Sequence, residues 1–311
     1  MKRTFCILLI CILLLAGCGN TITDNASSSF TFTDDLGRQV TVNDPQRVAA
    51  LLGSFAHLWH LAGGTVCATA DDAWNDFDLK LPEDTVNLGK TKALNLELLL
   101  SAEPDLVLAS TNTQQHIQWM ETLEAASIPV AYFNVSDFED YLRVLKICTQ
   151  ITGRNDLYEE NGTKVQQQID TVISNSISRI QENGAPVVLS LRASASSMHA
   201  KKSEGNVLGQ MLQNLGCINI ADSNNALLEN LSIEYILQAD PQFIFIVRHG
   251  DDPEGTQAMV EQFIAENPAW NELTAVKNGN VFFMEKELFS LKPNNRWGEA
   301  YEILESILQN P

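Results

Sequence analysis

Short unbroken apolar runs, each closed by Gly, Pro, Asn or Asp, alternate along most of this chain with stretches in which apolar residues return every three or four positions. The runs have the length and composition of buried parallel strands, and the stretches between them have the helical period. Strands are expected at 48–52, 66–70, 106–109 and 130–133, and again at 187–191, 243–247 and 281–284, with a short one at 197–200. Helices are expected at 55–62, capped by Ser54 and stopped at Gly63-Gly64, then near 113–126, at 137–151, 206–215 and 256–266, and at 297–309. Residues 30–42 alternate with period two around Asp34-Asp35-Leu36-Gly37, the pattern of a hairpin. Residues 71–82 read as an irregular loop containing an aromatic residue.

Two stretches are versions of one another. Residues 95–109 begin Asn95-Leu96-Glu97 and residues 232–246 begin Ser232-Ile233-Glu234. Each places a glutamate at the head of a short amphipathic helix. Glu103-Pro104 and Asp240-Pro241 then end that helix, and an apolar strand follows at once. A copied helix–Pro–strand unit, one per half, predicts two similar α/β lobes. The pattern at 156–183 has few breakers and predicts a connecting helix of about 40 Å at ~1.5 Å per residue. The boundaries that follow are an N-terminal lobe at 30–154, a connecting helix at 155–184 and a C-terminal lobe at 185–311. One rigid connector suits a cleft that closes only slightly.

The amino terminus is a targeting segment. Lys2 and Arg3 precede an apolar stretch at 5–15 that is too short to span a bilayer comfortably. Leu15-Ala16-Gly17-Cys18 looks like a lipoprotein signal cleavage box, which implies a signal peptide at 1–17 and lipid on Cys18. Several acyl chains, at ~0.8 kcal/mol per buried CH₂, would hold the protein firmly on a membrane. Residues 18–29, polar and Ser/Thr-rich, read as a flexible tether.

Charge then narrows the partners. The chain has 20 Lys and Arg against 39 Asp and Glu, a formal charge of −19, which becomes −21 without the two basic residues of the signal. Such a chain is a poor match for nucleic acid or an anionic lipid surface. Cys67, Cys148 and Cys217 are widely spaced, show no metal-type spacing, and read as buried thiols.

Taken together, the two repeat units resemble the substrate-binding proteins of ABC importers for ferric siderophores, haem and cobalamin. Arg47-Val48-Ala49-Ala50-Leu51-Leu52 is similar to that family's first strand, and the passage from Asn267-Pro268-Ala269-Trp270 to Val281-Phe282 is similar to its last helix-to-strand passage. The resemblance covers roughly residues 45–310. It implies an α/β fold of two Rossmann-like lobes with parallel sheets, joined by one long helix, residues 47–311 forming a single Fe/B12-type binding domain. It also implies a monomer, lipid-anchored on the extracytoplasmic face of the cell membrane, that delivers a ferric siderophore, haem or corrinoid to a permease dimer with its cytoplasmic ATPase. No cofactor beyond the lipid is expected. Glu97 and Glu234, one per lobe, would pair with arginines of the permease.

In open α/β sheets ligands sit beyond the carboxyl ends of the strands, and two facing lobes bring those ends to one cleft. The candidates are therefore Ser54, Phe55, Asp71, Asp72, Trp74, Lys92, Thr111 and Asn112 from the first lobe. From the second they are Arg192, residues 199–202 including His199 and Lys201, Arg248, His249 and Phe289. Phe55 and Trp74 are expected to form apolar walls, and Arg192, Lys201 and Arg248 to meet anionic ligand groups. An alternative reading takes His57 and His60, three apart on one helix, with acidic residues such as Asp71 as ligands to a bare transition-metal ion. No Gly-x-Ser-x-Gly, H-E-x-x-H or P-loop pattern occurs, so the expectation is recognition, not catalysis.

Overall fold

The computed structural model of the protein describes residues 29–250 and 252–309. The signal peptide, Cys18 and the tether up to residue 28 lie outside the described residues. Two five-stranded sheets make up the two lobes, with a two-stranded hairpin beside the first.

The hairpin comprises β1 (Ser29–Thr33) and β2 (Gln39–Asn43), antiparallel. Its turn is held by the buried Asp34 carboxylate, which accepts the Leu36 and Arg38 amides and the Arg38 guanidinium. The first sheet contains β3 (Val48–Ala50), β4 (Val66–Thr69), β5 (Val86–Asn87), β6 (Leu106–Ser110) and β7 (Val130–Phe133) in the order β5-β4-β3-β6-β7, all parallel. The second contains β8 (Val187–Ser194), β9 (Ser197–Ala200), β10 (Ile218–Asn219), β11 (Phe243–Arg248) and β12 (Val281–Met284). Its parallel order is β10-β8-β11-β12, and β9 folds back antiparallel on β8.

The unbroken apolar runs find their reason in the core. In β6, Leu106 and Leu108 face a central cluster while Val107 and Ala109 face a cluster on the outer side of the sheet. In β11, Phe243, Phe245 and Val247 face the same central cluster, and Ile244 and Ile246 face outward. Both central strands are thus buried on both faces, so period-two alternation of polarity disappears. The central cluster is continuous from one lobe to the other through Phe133, Ile169, Phe245 and Trp297.

The repeat units match in detail. Asn95 and Ser232 cap their helices, Leu96–Ser101 and Ile233–Ala239, through side-chain oxygens that accept the amides of Leu98 and Tyr235. Leu99 and Ile236, equivalent in the repeat, are both fully buried on the outer faces. Glu103 and Asp240, each before its proline, both turn into the left-handed region, at φ 46 and φ 41.

The connector departs from one unbroken helix. It runs as Asn155–Tyr158, a wide π turn at Glu159–Thr163, and a straight helix Lys164–Asn183 that ends at Gly184 with φ 82. The last helix, Trp297–Leu308, packs along it. Between them Arg179 donates to Glu305 at 3.0 and 3.2 Å and to the Leu215 carbonyl at 3.1 Å, in a pair only 6% and 5% exposed. That ties the connector, the final helix and the second lobe into one hinge-side body.

Other differences are local. The helix near 113–126 is two, Gln114–Gln118 and Met120–Ala125, meeting at Trp119. The expected loop at 71–82 opens with a helical turn, Asp72–Asn75. Ser54 is not a cap: the helix starts one residue earlier, at Gly53–Leu61. Cys67 and Cys217 are half-buried and Cys148 fully buried, all as free thiols; burial pushes each of them up, Cys217 to about 12. Among the described residues no helix is long and apolar enough to cross a membrane.

Candidate functional site: a cation-rich cleft between the lobes

A cleft of about 770 Å³ opens between the carboxyl ends of the two sheets. Its lining comes from the loops that follow β3, β4 and β5 in the first lobe and β11 and β12 in the second. Of the residues expected from sequence, Ser54, Asp71, Asp72, Lys92, Arg248 and His249 line it.

The first-lobe wall is built on a close approach of two chain segments. A Cβ on Gly53 would stand 2.5 Å from the Ala73 amide nitrogen, so only glycine lets the helix Gly53–Leu61 start against the turn Asp72–Asn75. Asp72 then satisfies that helix start, its Oδ1 accepting the Gly53 amide at 2.8 Å. Burial, assisted by the neighbouring charges of Asp76 and Asp71, raises the Asp72 carboxyl to about 6, against the pull of the Gly53 amide.

The second-lobe wall is basic. Arg192 on β8 stands level with Val247 on β11 and with His199 on β9. Lys201 follows β9, its amide bonded to the Ser190 carbonyl, and the His249 amide bonds to the Ala193 carbonyl. Arg192 and Lys201 do not themselves line the cleft volume, but both act on its lining. Burial lowers the His249 imidazole, and the charges of Arg192, Lys92, Lys286 and Lys201 lower it further. Burial alone lowers Arg192, and burial followed by Arg192 lowers Lys201. No acid partners these groups: among the described residues Lys90, Lys92, Arg192, Lys201, Arg248 and Lys292 make no ion pair. Arg38, Lys80, Arg143, Arg154, Arg179, Lys277 and Arg296, elsewhere on the molecule, do, as does Lys286 within the cleft. Among the described residues outside the cleft lining, Arg47, Lys146, Lys164 and Lys202 do not.

Several expected residues sit elsewhere. Phe55 is only 1% exposed, its ring edge-on to Phe133 and covered by Lys292, so it is no wall of the cleft. Trp74 packs partly buried against the central core and Phe289 is buried. Thr111 and Asn112 end β6 outside the cleft lining, with Asn112 bonded to Asn134. His199 is exposed on β9. Glu97 and Glu234 are both exposed in the first turns of their helices, and the Glu234 carboxylate accepts the Ser232 hydroxyl at 3.1 Å. Because these helices run back against their strands, both first turns lie at the carboxyl-end level of the sheets, the level of the cleft.

Sequence reading missed Lys286, Asp76, Lys90 and Lys292, all of which line the cleft. Lys286 of the second lobe reaches across to Asp76 of the first, 2.9 Å from each carboxylate oxygen. Its place two residues beyond the predicted strand 281–284 was the signal that could have flagged it.

The metal-ion alternative finds no support. His57 Nδ1 is 3.1 Å from Asn294 Nδ2 and its ring tilts against Phe77, while His60 is exposed. Burial, then His60 and Arg296, hold His57 down to about 4. Among the described residues no group of three or more His, Cys, Asp or Glu side chains is arranged to hold a metal.

Residues 48–288 match the family model described as periplasmic binding protein. The chain is 26% identical over 300 residues to the Fe(3+)-citrate-binding protein YfmC of Bacillus subtilis (strain 168), covering 91% of this chain and 89% of that one. It is 25% identical over 262 residues to the ferric-anguibactin-binding protein FatB of Vibrio anguillarum, covering 81% and 79%. Among solved structures, SirA of Staphylococcus aureus complexed with staphyloferrin B shares the fold at a TM-score of 0.69 and 17% identity, over 91% of this chain and 99% of that one.

Proposed function

This chain belongs to the periplasmic binding protein family, and we propose that it is the extracytoplasmic solute-binding component of an ABC importer, one that captures an anionic ferric chelate and delivers it to the permease. The observation that carries this reading is the set of unpaired cations around the cleft. A protein of charge −19 has acids to spare, yet among the described residues none pairs with Lys92, Arg192, Lys201 or Arg248. Arg192 and Lys201 are half-buried while Lys92 and Arg248 are exposed; a half-buried cation without a partner costs free energy that an anionic ligand recovers through charge-assisted hydrogen bonds. Relatives that bind Fe(3+)-citrate and ferric anguibactin support the same class, with haem and a corrinoid as the other ligands of the screen below.

In this reading residues 47–311 act as one ligand-binding unit of two lobes, and the chemistry is recognition without turnover. The connector and the shared core keep closure small. Residues 1–17 are removed, lipid on Cys18 anchors the monomer to the membrane, and residues 18–29 are its tether. Glu97 and Glu234 meet the permease, one per lobe. Intact-mass analysis of membrane-extracted protein checks the anchor: a chain starting at Cys18 with acyl mass is expected, and a soluble product starting elsewhere contradicts it.

The ligand is tested by tryptophan quenching with ferric citrate, the ferric complex of 2,3-dihydroxybenzoate, haem and cyanocobalamin. Saturable quenching by a ferric chelate is expected, reported by Trp74 beside the cleft. Its absence for both ferric chelates would remove the reading.

A further inference from the structure

One cation of the cleft comes from no strand end. Lys292 follows the helix Lys286–Phe289 and precedes Pro293 and Asn294, both buried. The proline keeps residue 292 out of helical geometry. Asn294, at φ 54, donates from Nδ2 to the Ser54 carbonyl at 3.0 Å and lies 3.1 Å from His57 Nδ1. The second lobe's chain is therefore fastened to the first lobe's helix two residues beyond Lys292, and the Lys292 side chain is set between the lobes.

There its ammonium stands 5.6 Å from the centroid of the Phe55 ring. Phe55 is core, so Lys292 marks the floor of the cleft that both line or underlie. Among the described residues Lys292 makes no hydrogen bond and no ion pair. The Asp72 carboxylate acts on it only at longer range and already holds the Gly53 amide. Burial lowers the Lys292 ammonium and Asp72 draws it partly back. On another side the buried His116 accepts the Ser110 amide at Nδ1, which puts its proton on Nε2, and the Nε2 has no partner. The Lys292 charge adds to burial in keeping that ring neutral, at about 4. The floor thus holds a cation with a ring face beneath it and no anion in contact, which a ring face alone offsets poorly.

We propose that Lys292 is the floor contact of the cleft, its ammonium binding an anionic oxygen of the ligand, with Phe55 and the Asn294 anchor as its positioning residues. This rests on the ferric-chelate reading above and narrows it. The chelate must extend a carboxylate or comparable anionic oxygen slender enough to pass between the lobes as far as the Phe55 ring.

Lys292→Met and Lys292→Arg, titrated with ferric citrate and with the ferric complex of 2,3-dihydroxybenzoate beside the wild type, test it, together with thermal unfolding of each unliganded protein. Lys292→Met is expected to bind the chelate that the wild type takes about tenfold or more weakly, and Lys292→Arg to lose less. Unliganded Lys292→Met should unfold at or above the wild-type temperature, because Met covers Phe55 without a charge to bury. Wild-type affinity in Lys292→Met, or unfolding below wild type, would overturn the assignment. A wild-type protein that takes neither chelate would contradict the ferric-chelate reading instead, and the unfolding comparison would still decide whether Lys292 is a structural cation.

Discussion

Lys286 and Asp76 join the two lobes across the cleft, the ammonium 2.9 Å from each carboxylate oxygen and the side chains 16% and 19% exposed. The other lobe-to-lobe ties lie on the hinge side, in the core, or at the cleft floor through Asn294 and Lys292. This pair therefore biases closure at the cleft itself. A partly buried ion pair of this kind contributes ~1 kcal/mol. Asp76→Ala should enlarge the radius of gyration of the unliganded protein in small-angle scattering and weaken ligand binding roughly fivefold, as a population shift of that size requires. Unchanged scattering and affinity would make the pair incidental to closure.

Arg192→Ala and Arg248→Ala should each weaken chelate binding by ~1.5–3 kcal/mol, the range for hydrogen bonds to charged groups. Both should fold normally, since among the described residues neither guanidinium is paired. Titrations showing wild-type affinity in both variants would mean that the anionic face of the ligand lies elsewhere.

Glu97→Ala combined with Glu234→Ala should leave chelate affinity near wild type and abolish uptake. A carboxylate in a helix's first turn is worth ~0.3–1 kcal/mol to that helix, whereas close interfacial charge pairs couple by ~1.5–7 kcal/mol. Both residues are exposed, so stability should fall only by the smaller amount. Transport at the wild-type rate in proteoliposomes would reduce them to helix-end charges.

Two histidines set an acid limit on stability. Burial holds His57 and His116 down to about 4 from 6.5, so the unfolded chain binds protons that the native state refuses. Their contribution is complete above pH 6.5 and is lost as pH falls toward 4, by up to ~3 kcal/mol each. Asp72, raised from 3.8 to about 6, acts with the opposite sign: its native carboxyl takes a proton first, which adds stability as pH falls from about 6 toward 4. The two histidines outweigh it. Urea titrations from pH 7.5 to 4.5 should show falling stability, with a shallower fall in His116→Asn. A His116→Asn profile parallel to wild type would contradict this.

The repeat made most of the fold legible. Asn95 and Ser232 advertise caps, the prolines mark where each helix stops, and the apolar runs report strands buried on both faces. The elements missed are those without local signal. The strands Val86–Asn87 and Ile218–Asn219 have two residues each and exist only because a neighbouring strand offers an edge. The π turn at Glu159–Thr163 falls in a run that reads as plain helix. Ser54 looks like a cap because nothing nearby in sequence reveals that Asp72, 19 residues beyond Gly53, already holds the helix start. The cleft was legible at Asp71, Arg248 and His249, which follow predicted strands; Lys286, two residues beyond the predicted strand 281–284, was passed over, and Lys292 enters from the returning carboxyl-terminal segment. Their positions depend on contacts with Asp76 and Phe55, 210 and more residues away.

The function proposed above requires the cleft to take an anionic ferric chelate. Purified protein incubated with ferric citrate, the ferric complex of 2,3-dihydroxybenzoate, haem and cyanocobalamin in separate equimolar samples, then desalted, gives the most direct test through the visible spectrum of the protein peak. The charge-transfer band of a ferric chelate should elute with the protein at about one per chain. A colourless protein peak in both ferric samples, or colour retained from cyanocobalamin alone, would contradict it.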